Sequence, residues 1–185
     1  MLSDEEIIDG CLKGKARFQK LLYRKFAPTM FGVCQRYFTS PDQAEDALQE
    51  GFIKVFGKLA DFRREGSLEG WIRRIMVTTS LNYHRNNRKH YFHEDVEDLH
   101  DGSEDVMFSE DRFTREDLMK TLQGLPPGYK LVFNLFEIEG YSHKEIAEML
   151  DISVNTSKSQ LSKARRLLQR RLLALFDTKN PLYDA

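Results

Sequence analysis

The densest chemistry in this chain lies near its carboxyl end. Asn155, Thr156, Lys158, Ser159 and Gln160 crowd amides, hydroxyls and a cation onto what the apolar spacing makes the outward side of a helix. No base stands beside a nucleophile here, so the chemistry is hydrogen bonding. Amides suit the edge of adenine, cations suit guanine or phosphate, and hydroxyls suit either. Lys163, Arg165, Arg166, Arg170 and Arg171 carry the positive face further, and Ser153–Leu172 holds six basic residues and no acid. Such a face fits the major groove of a DNA duplex and its flanking phosphates.

A second cationic stretch runs from Arg63 to His90, with seven basic residues against two acidic ones. Arg63, Arg64, Arg73, Arg74, Arg85, Arg88 and Lys89 are interleaved with Phe62, Trp71 and Tyr83. Cations that follow a backbone and rings that stack on unpaired bases suit single-stranded nucleic acid. A competing reading makes Trp71, Ile72 and Ile75 plain core. Between the two surfaces, Tyr91–Asp117 carries eleven acids and two arginines, so a formal net charge of −1 conceals strong segregation.

Positioning these groups takes helices, because the apolar periodicity is helical throughout and no alternating strand stands out. Ser3 and Glu6 form a capping box that opens a short helix ending near Gly14. A longer helix follows, with a kink or break expected at Pro28. Ser40, Pro41 and Gln43 predict the start of a third, whose inward face holds Ala44, Ala47, Leu48, Phe52, Val55, Phe56 and Leu59. "ADFRREGS" reads as a loop, and Ser67 caps a fourth helix through Trp71 and Tyr83. The polar, acidic run after it reads as a linker. A second domain is expected to open near Ser109 or Glu110, with a helix to Leu122, a break at "GLPPG" and another helix over "YKLVFNLFEIE". Ser142 with Glu145 then begins a helix-turn-helix in which small Ala147 permits close approach and Ser153 caps the second helix. Ser157 takes a place where an apolar side chain would pack.

The fold class is thus all-α: an amino-terminal domain over 1–90, a linker over 91–109, a carboxyl-terminal domain over 110–176 and a tail over 177–185. Cys11 and Cys34 sit in helical patterns outside any CxxC and read as reduced core thiols, which with the acidic start "MLSDEEIIDG" and no long apolar run points to the cytoplasm and away from membrane insertion. His90 and His93 beside Glu94 and Asp95 are the nearest approach to a metal cluster, but they lie in an aperiodic tract, and neither metal nor cofactor is predicted. No phosphate loop GxxxxGK[ST] occurs. An enzyme and a stand-alone DNA-binding regulator with its own effector domain are the rival readings. One helix-turn-helix without dimer symmetry reads an operator weakly, so a further partner is needed.

The succession "DQAEDALQEGFIKVFGKL", "FRREGSLEGWIRRI", an acidic linker and "LPPGYKLVFNLFEIEGYSHKEIAEMLDISVNTSKSQLSKARRLL" resembles a bacterial extracytoplasmic-function sigma factor of the sigma-70 family, over nearly the whole chain. The resemblance implies a non-enzymatic protein that binds core RNA polymerase and selects promoters. It implies that the Asp42–Lys58 helix docks on the clamp coiled coil of the largest catalytic subunit through Asp42, Asp46, Gln49, Glu50 and Phe52; Asp42, Glu45, Asp46, Gln49 and Glu50 do form an acidic outer face. The same resemblance assigns Arg63–Lys89 to opening and reading the minus-ten element, with Asn82 among the reading residues. Thr78 stands where some relatives use an asparagine to shape a pocket for a flipped base. The helix-turn-helix would read the minus-thirty-five element, and an anti-sigma factor would sequester the chain.

Overall fold

The computed structural model describes residues 2–85, 91 and 113–179, and every regular element within them is helical. They belong to two compact units, Met1–His84 and Arg85–Ala185.

The first unit holds α1 (Asp4–Leu12), α2 (Ala16–Gln35), α3 (Pro41–Lys58) and α4 (Leu68–His84). Ser3 Oγ accepts the Glu6 N–H at 3.2 Å while the Glu6 carboxylate accepts the Ser3 N–H at 2.8 Å, so the first box forms as the spacing demands. Gly14, at φ 68°, turns the chain into α2 through a backbone region that residues with a Cβ disfavour. Helix α2 runs unbroken through Pro28. Pro28 is exposed, so the carbonyl left without its N–H partner is open to water.

Pro41 begins α3, whereas the Ser40 side chain makes no capping bond and the expected Ser40–Gln43 box does not form. The ring of Pro41 presets the helical φ at that position and starts the helix without it. Ser67 Oγ accepts the Gly70 N–H at 3.3 Å and caps α4. The core joins Leu22, Met30 and Val33 of α2, Val55 of α3, and Ile72 and Met76 of α4. Helices α3 and α4 close on Gly51, where Met76 Sδ lies 2.2 Å from the place a Cβ would take.

The second unit holds α5 (Arg115–Gln123), α6 (Pro127–Phe133), α7 (His143–Leu150) and α8 (Val154–Lys179). A Thr114–Asp117 capping box opens α5; the openings expected at Ser109 or Glu110 lie outside the described residues, as does the 91–109 stretch apart from Tyr91. After α6 the chain widens into a π turn over Asn134–Ile138, in which the Glu139 N–H reaches Asn134 O at 3.0 Å. Leu122, Leu125, Tyr129, Ala164 and Leu167 form a core, with Phe133 and Leu168 against it. Lys130 is buried and donates to the Gln123 carbonyl at 3.4 Å. Burial pushes its pKa down, because an apolar setting disfavours the ammonium form. Helix α8 continues to Lys179, past the expected start of the tail.

Candidate nucleic-acid and partner interfaces

The helix-turn-helix is built from α7 and α8. Ser142 and Glu145 form the box that starts α7. Asp151 ends it at φ 52°, and the Ile152 N–H donates to Ala147 O at 3.1 Å, which makes the turn tight. Ser153 Oγ accepts the Thr156 N–H at 2.9 Å and starts α8. Ile146, Ala147, Leu150, Leu161 and Ala164 are buried between the helices.

On the first turns of α8, Asn155, Lys158 and Ser159 are exposed. Thr156 is half-buried, and its Oγ1 lies 2.8 Å from Ser153 Oγ, so its hydroxyl serves the cap. Ser159 Oγ donates to the Thr156 carbonyl at 3.0 Å. Gln160 corrects the sequence reading: it is only 7% exposed and points into the domain, not outward. It shares an inward stripe with Ser157 and Ala164, and its Oε1 has no hydrogen-bond partner among the described residues.

Ser157, wholly buried, is satisfied by His143 Nδ1 at 2.9 Å. The His143 ring stacks on Phe136 at 4.5 Å, and partial burial, then the charges of Lys158 and Arg165, hold its pKa below the ordinary value. Lys163 and Arg166 are half-buried. Arg165 departs from the expectation of a free phosphate ligand, since its Nε donates to Glu137 Oε1 at 2.6 Å and its guanidinium lies over Phe136. Arg171 packs over Gly124, its Nη1 2.7 Å from where a Cβ would stand.

In the first unit, Arg63, Arg74, Thr78, Asn82 and Arg85 are exposed. Thr78 Oγ1 donates to the Arg74 carbonyl at 2.8 Å. Arg73 is half-buried. Trp71 is half-buried too, tilted against Phe62 with ring centres 5.4 Å apart, so both readings of it hold in part. Arg64 sits in the left-handed region and pairs with Asp9 of α1, which turns its charge inward to the fold. Arg88 and Lys89 lie outside the described residues. So do His90, His93, Glu94 and Asp95, and no group of three or more potential metal ligands gathers among the described residues. Cys11 and Cys34 are buried free thiols, and burial raises Cys34 to about 11.

On α3, Asp42, Asp46 and Gln49 are exposed and Glu50 is partly so. Phe52 is a second correction. At 3% exposure it is core, with its ring 4.6 Å from that of Tyr23, and it offers no contact surface. Its neighbour Ile53, at 71% exposure, is the apolar group on the outer face, and the sequence reading missed it. The signal was its place one turn beyond Gln49, off the apolar stripe. Glu50 pairs with Lys54 at 2.5 Å and accepts the Tyr83 hydroxyl, which together hold its carboxyl below the usual range.

Comparison with known proteins agrees with this arrangement. A model described as sigma-70 region 2 matches residues 22–90, spanning α2 to α4, and one described as sigma-70, region 4 matches residues 115–168, spanning α5 to the middle of α8. The ECF RNA polymerase sigma-E factor of Haemophilus influenzae is 29% identical, covering 94% of this chain and 97% of its own length. That of Escherichia coli is 28% identical, covering 94% and 96%. Among solved structures, CnrH in complex with the cytosolic domain of CnrY shares the fold at a TM-score of 0.50 and 20% identity, over 92% of this chain and 97% of that one. No helix among the described residues is long and apolar enough to cross a membrane. With both regions matched in order on two separate helical units, the chain belongs to the sigma-70 family, among its extracytoplasmic-function factors.

Proposed function

We propose that this chain works in the cytoplasm as an alternative sigma factor, binding core RNA polymerase and directing it to a restricted set of promoters. The observation that supports it most is the succession of two family regions on two helical units, each with its own cationic face. Its work is positioning and strand capture, with neither catalysis nor a cofactor of its own.

In this reading the domains run over 1–90 and 110–176, joined by the acidic 91–109 stretch and followed by a tail from 177. Asn155, Lys158 and Ser159 meet the minus-thirty-five element, with Thr156 beside them and Lys163 and Arg166 along the backbone. Arg63, Arg74, Thr78, Asn82, Tyr83 and Arg85 serve the minus-ten element, flanked by Trp71 and Arg73. Thr78 offers a hydroxyl and a methyl where an amide would offer two hydrogen-bonding groups, which changes the base a flipped-out pocket prefers. Asp42, Asp46, Gln49, Glu50 and Ile53 form the polymerase-docking face. The acidic stretch keeps DNA off the free protein, and an anti-sigma factor covers these surfaces until it is released.

Energetics favours shared labour. Each base-pair step opened costs about 1.4 kcal/mol of stacking, and two or three base contacts at about 1–3 kcal/mol each do not offset a bubble alone. Run-off transcription with purified core polymerase over genomic fragments, followed by start-site mapping, tests the reading. New start sites that depend on the chain support it. A chain that neither associates with core nor changes where transcripts begin overturns it.

A further inference from the structure

Glu50 of α3 and Tyr83 of α4 belong to different proposed surfaces, one for polymerase and one for DNA, yet they touch. The Tyr83 hydroxyl donates to the Glu50 carboxylate. Lys54, one turn along α3, pairs with the same carboxylate and also donates from Nζ to Thr79 Oγ1 of α4 at 3.2 Å. Tyr83 is 40% exposed, with its ring edge-on to Phe38 at 5.4 Å. A polar clasp thus ties the acidic face of α3 to the aromatic end of α4. Thr79 is buried, so the Lys54 leg is anchored, while the Glu50–Tyr83 leg lies near solvent and can open.

We propose that this clasp couples docking of polymerase on α3 to capture of single-stranded DNA by α4. The inference rests on the proposed function. A cation from the partner that takes Glu50 competes with the Tyr83 hydroxyl for the same oxygens. Once released, the Tyr83 ring is free to turn its face to an unpaired base, where stacking is favourable. Each ligand therefore favours the same open clasp, and by linkage each tightens the binding of the other. Lys54 is a positioning residue: it holds the Glu50 carboxylate toward α4 without meeting either ligand.

The test measures core polymerase affinity for the full chain with and without a saturating single-stranded oligonucleotide carrying the non-template minus-ten sequence. The ratio of the two affinities is the coupling factor. Tyr83→Phe keeps the ring and its contact with Phe38 but removes the donor. Its coupling factor should fall about two- to tenfold below that of the unaltered chain, the range a single net hydrogen bond supplies. Glu50→Gln should lower the factor in the same direction, and adding Tyr83→Phe to it should change the factor no further. Equal coupling factors in the unaltered chain and Tyr83→Phe, with both binding core, overturn the clasp and leave the proposed function standing. No core binding by the unaltered chain overturns the proposed function, and the clasp with it.

Discussion

His143 and Ser157 meet across the helix-turn-helix, imidazole Nδ1 to hydroxyl at 2.9 Å, one at the start of α7 and the other fully buried on α8. The pair sets the angle at which α8 presents Asn155 and Lys158. Ser157→Ala leaves an imidazole nitrogen without its partner and should cost about 1 kcal/mol of stability. Urea unfolding followed by circular dichroism would read it.

The same pair predicts a pH dependence. His143 is held below its ordinary value of 6.5, first by burial and then by Lys158 and Arg165. As pH falls through the ordinary value the unfolded chain takes up this proton before the folded one does. Stability is therefore whole above that value and declines below it, until the lower folded pKa is passed. In His143→Gln this part of the decline should vanish. Unfolding midpoints that track those of the unaltered chain at every pH would contradict the assignment.

Adjacent residues on α3 should respond in opposite ways. Ile53→Asp puts a charge on a side chain already 71% in water, so the fold should persist while core polymerase binding drops. Phe52→Ala opens a cavity beneath Tyr23, and large-to-small changes of this kind cost about 3–5 kcal/mol. Circular dichroism and a core-binding titration on both variants separate the two outcomes; binding loss without unfolding in Phe52→Ala would return that residue to the docking face.

Cations of α8 should differ as well. Lys158 is exposed with no ion pair among the described residues, whereas Arg165 is held by Glu137. Lys158→Ala should lower the slope of log affinity against log salt by about 0.9, one phosphate contact, and Arg165→Ala should lower it less. Glu137→Gln, by loosening Arg165, should steepen the slope. Duplex binding by the full chain across a salt series measures all three.

What could be read in advance was local. The boxes at Ser3 and Ser142 and the caps at Ser67 and Ser153 need only residues three apart, and all four formed. The Arg64–Asp9 and Arg165–Glu137 pairs join distant positions of the chain, so no window along the sequence contains both partners. Assigning Phe52 both to the inward stripe and to a docking contact asked one side chain to face two ways, and burial resolved it inward. Order and spacing identified the helices and the family, while the side chains left free on each surface depended on tertiary pairing.

Gln160 follows from the same geometry, since a side chain three residues after the buried Ser157 and four before the buried Ala164 shares their face of α8. Its Oε1 lies buried with no partner among the described residues, and an unmet polar group of that kind costs about 1–3 kcal/mol. Gln160→Met keeps the length and flexibility and removes the unmet oxygen, so the midpoint of urea unfolding should rise. Specific transcription should stay within about twofold, a shift well under one base contact of about 1–3 kcal/mol. A stabilised variant that loses minus-thirty-five recognition would mean that the amide swings out on the DNA, and that its buried position is the resting state of a base-reading residue.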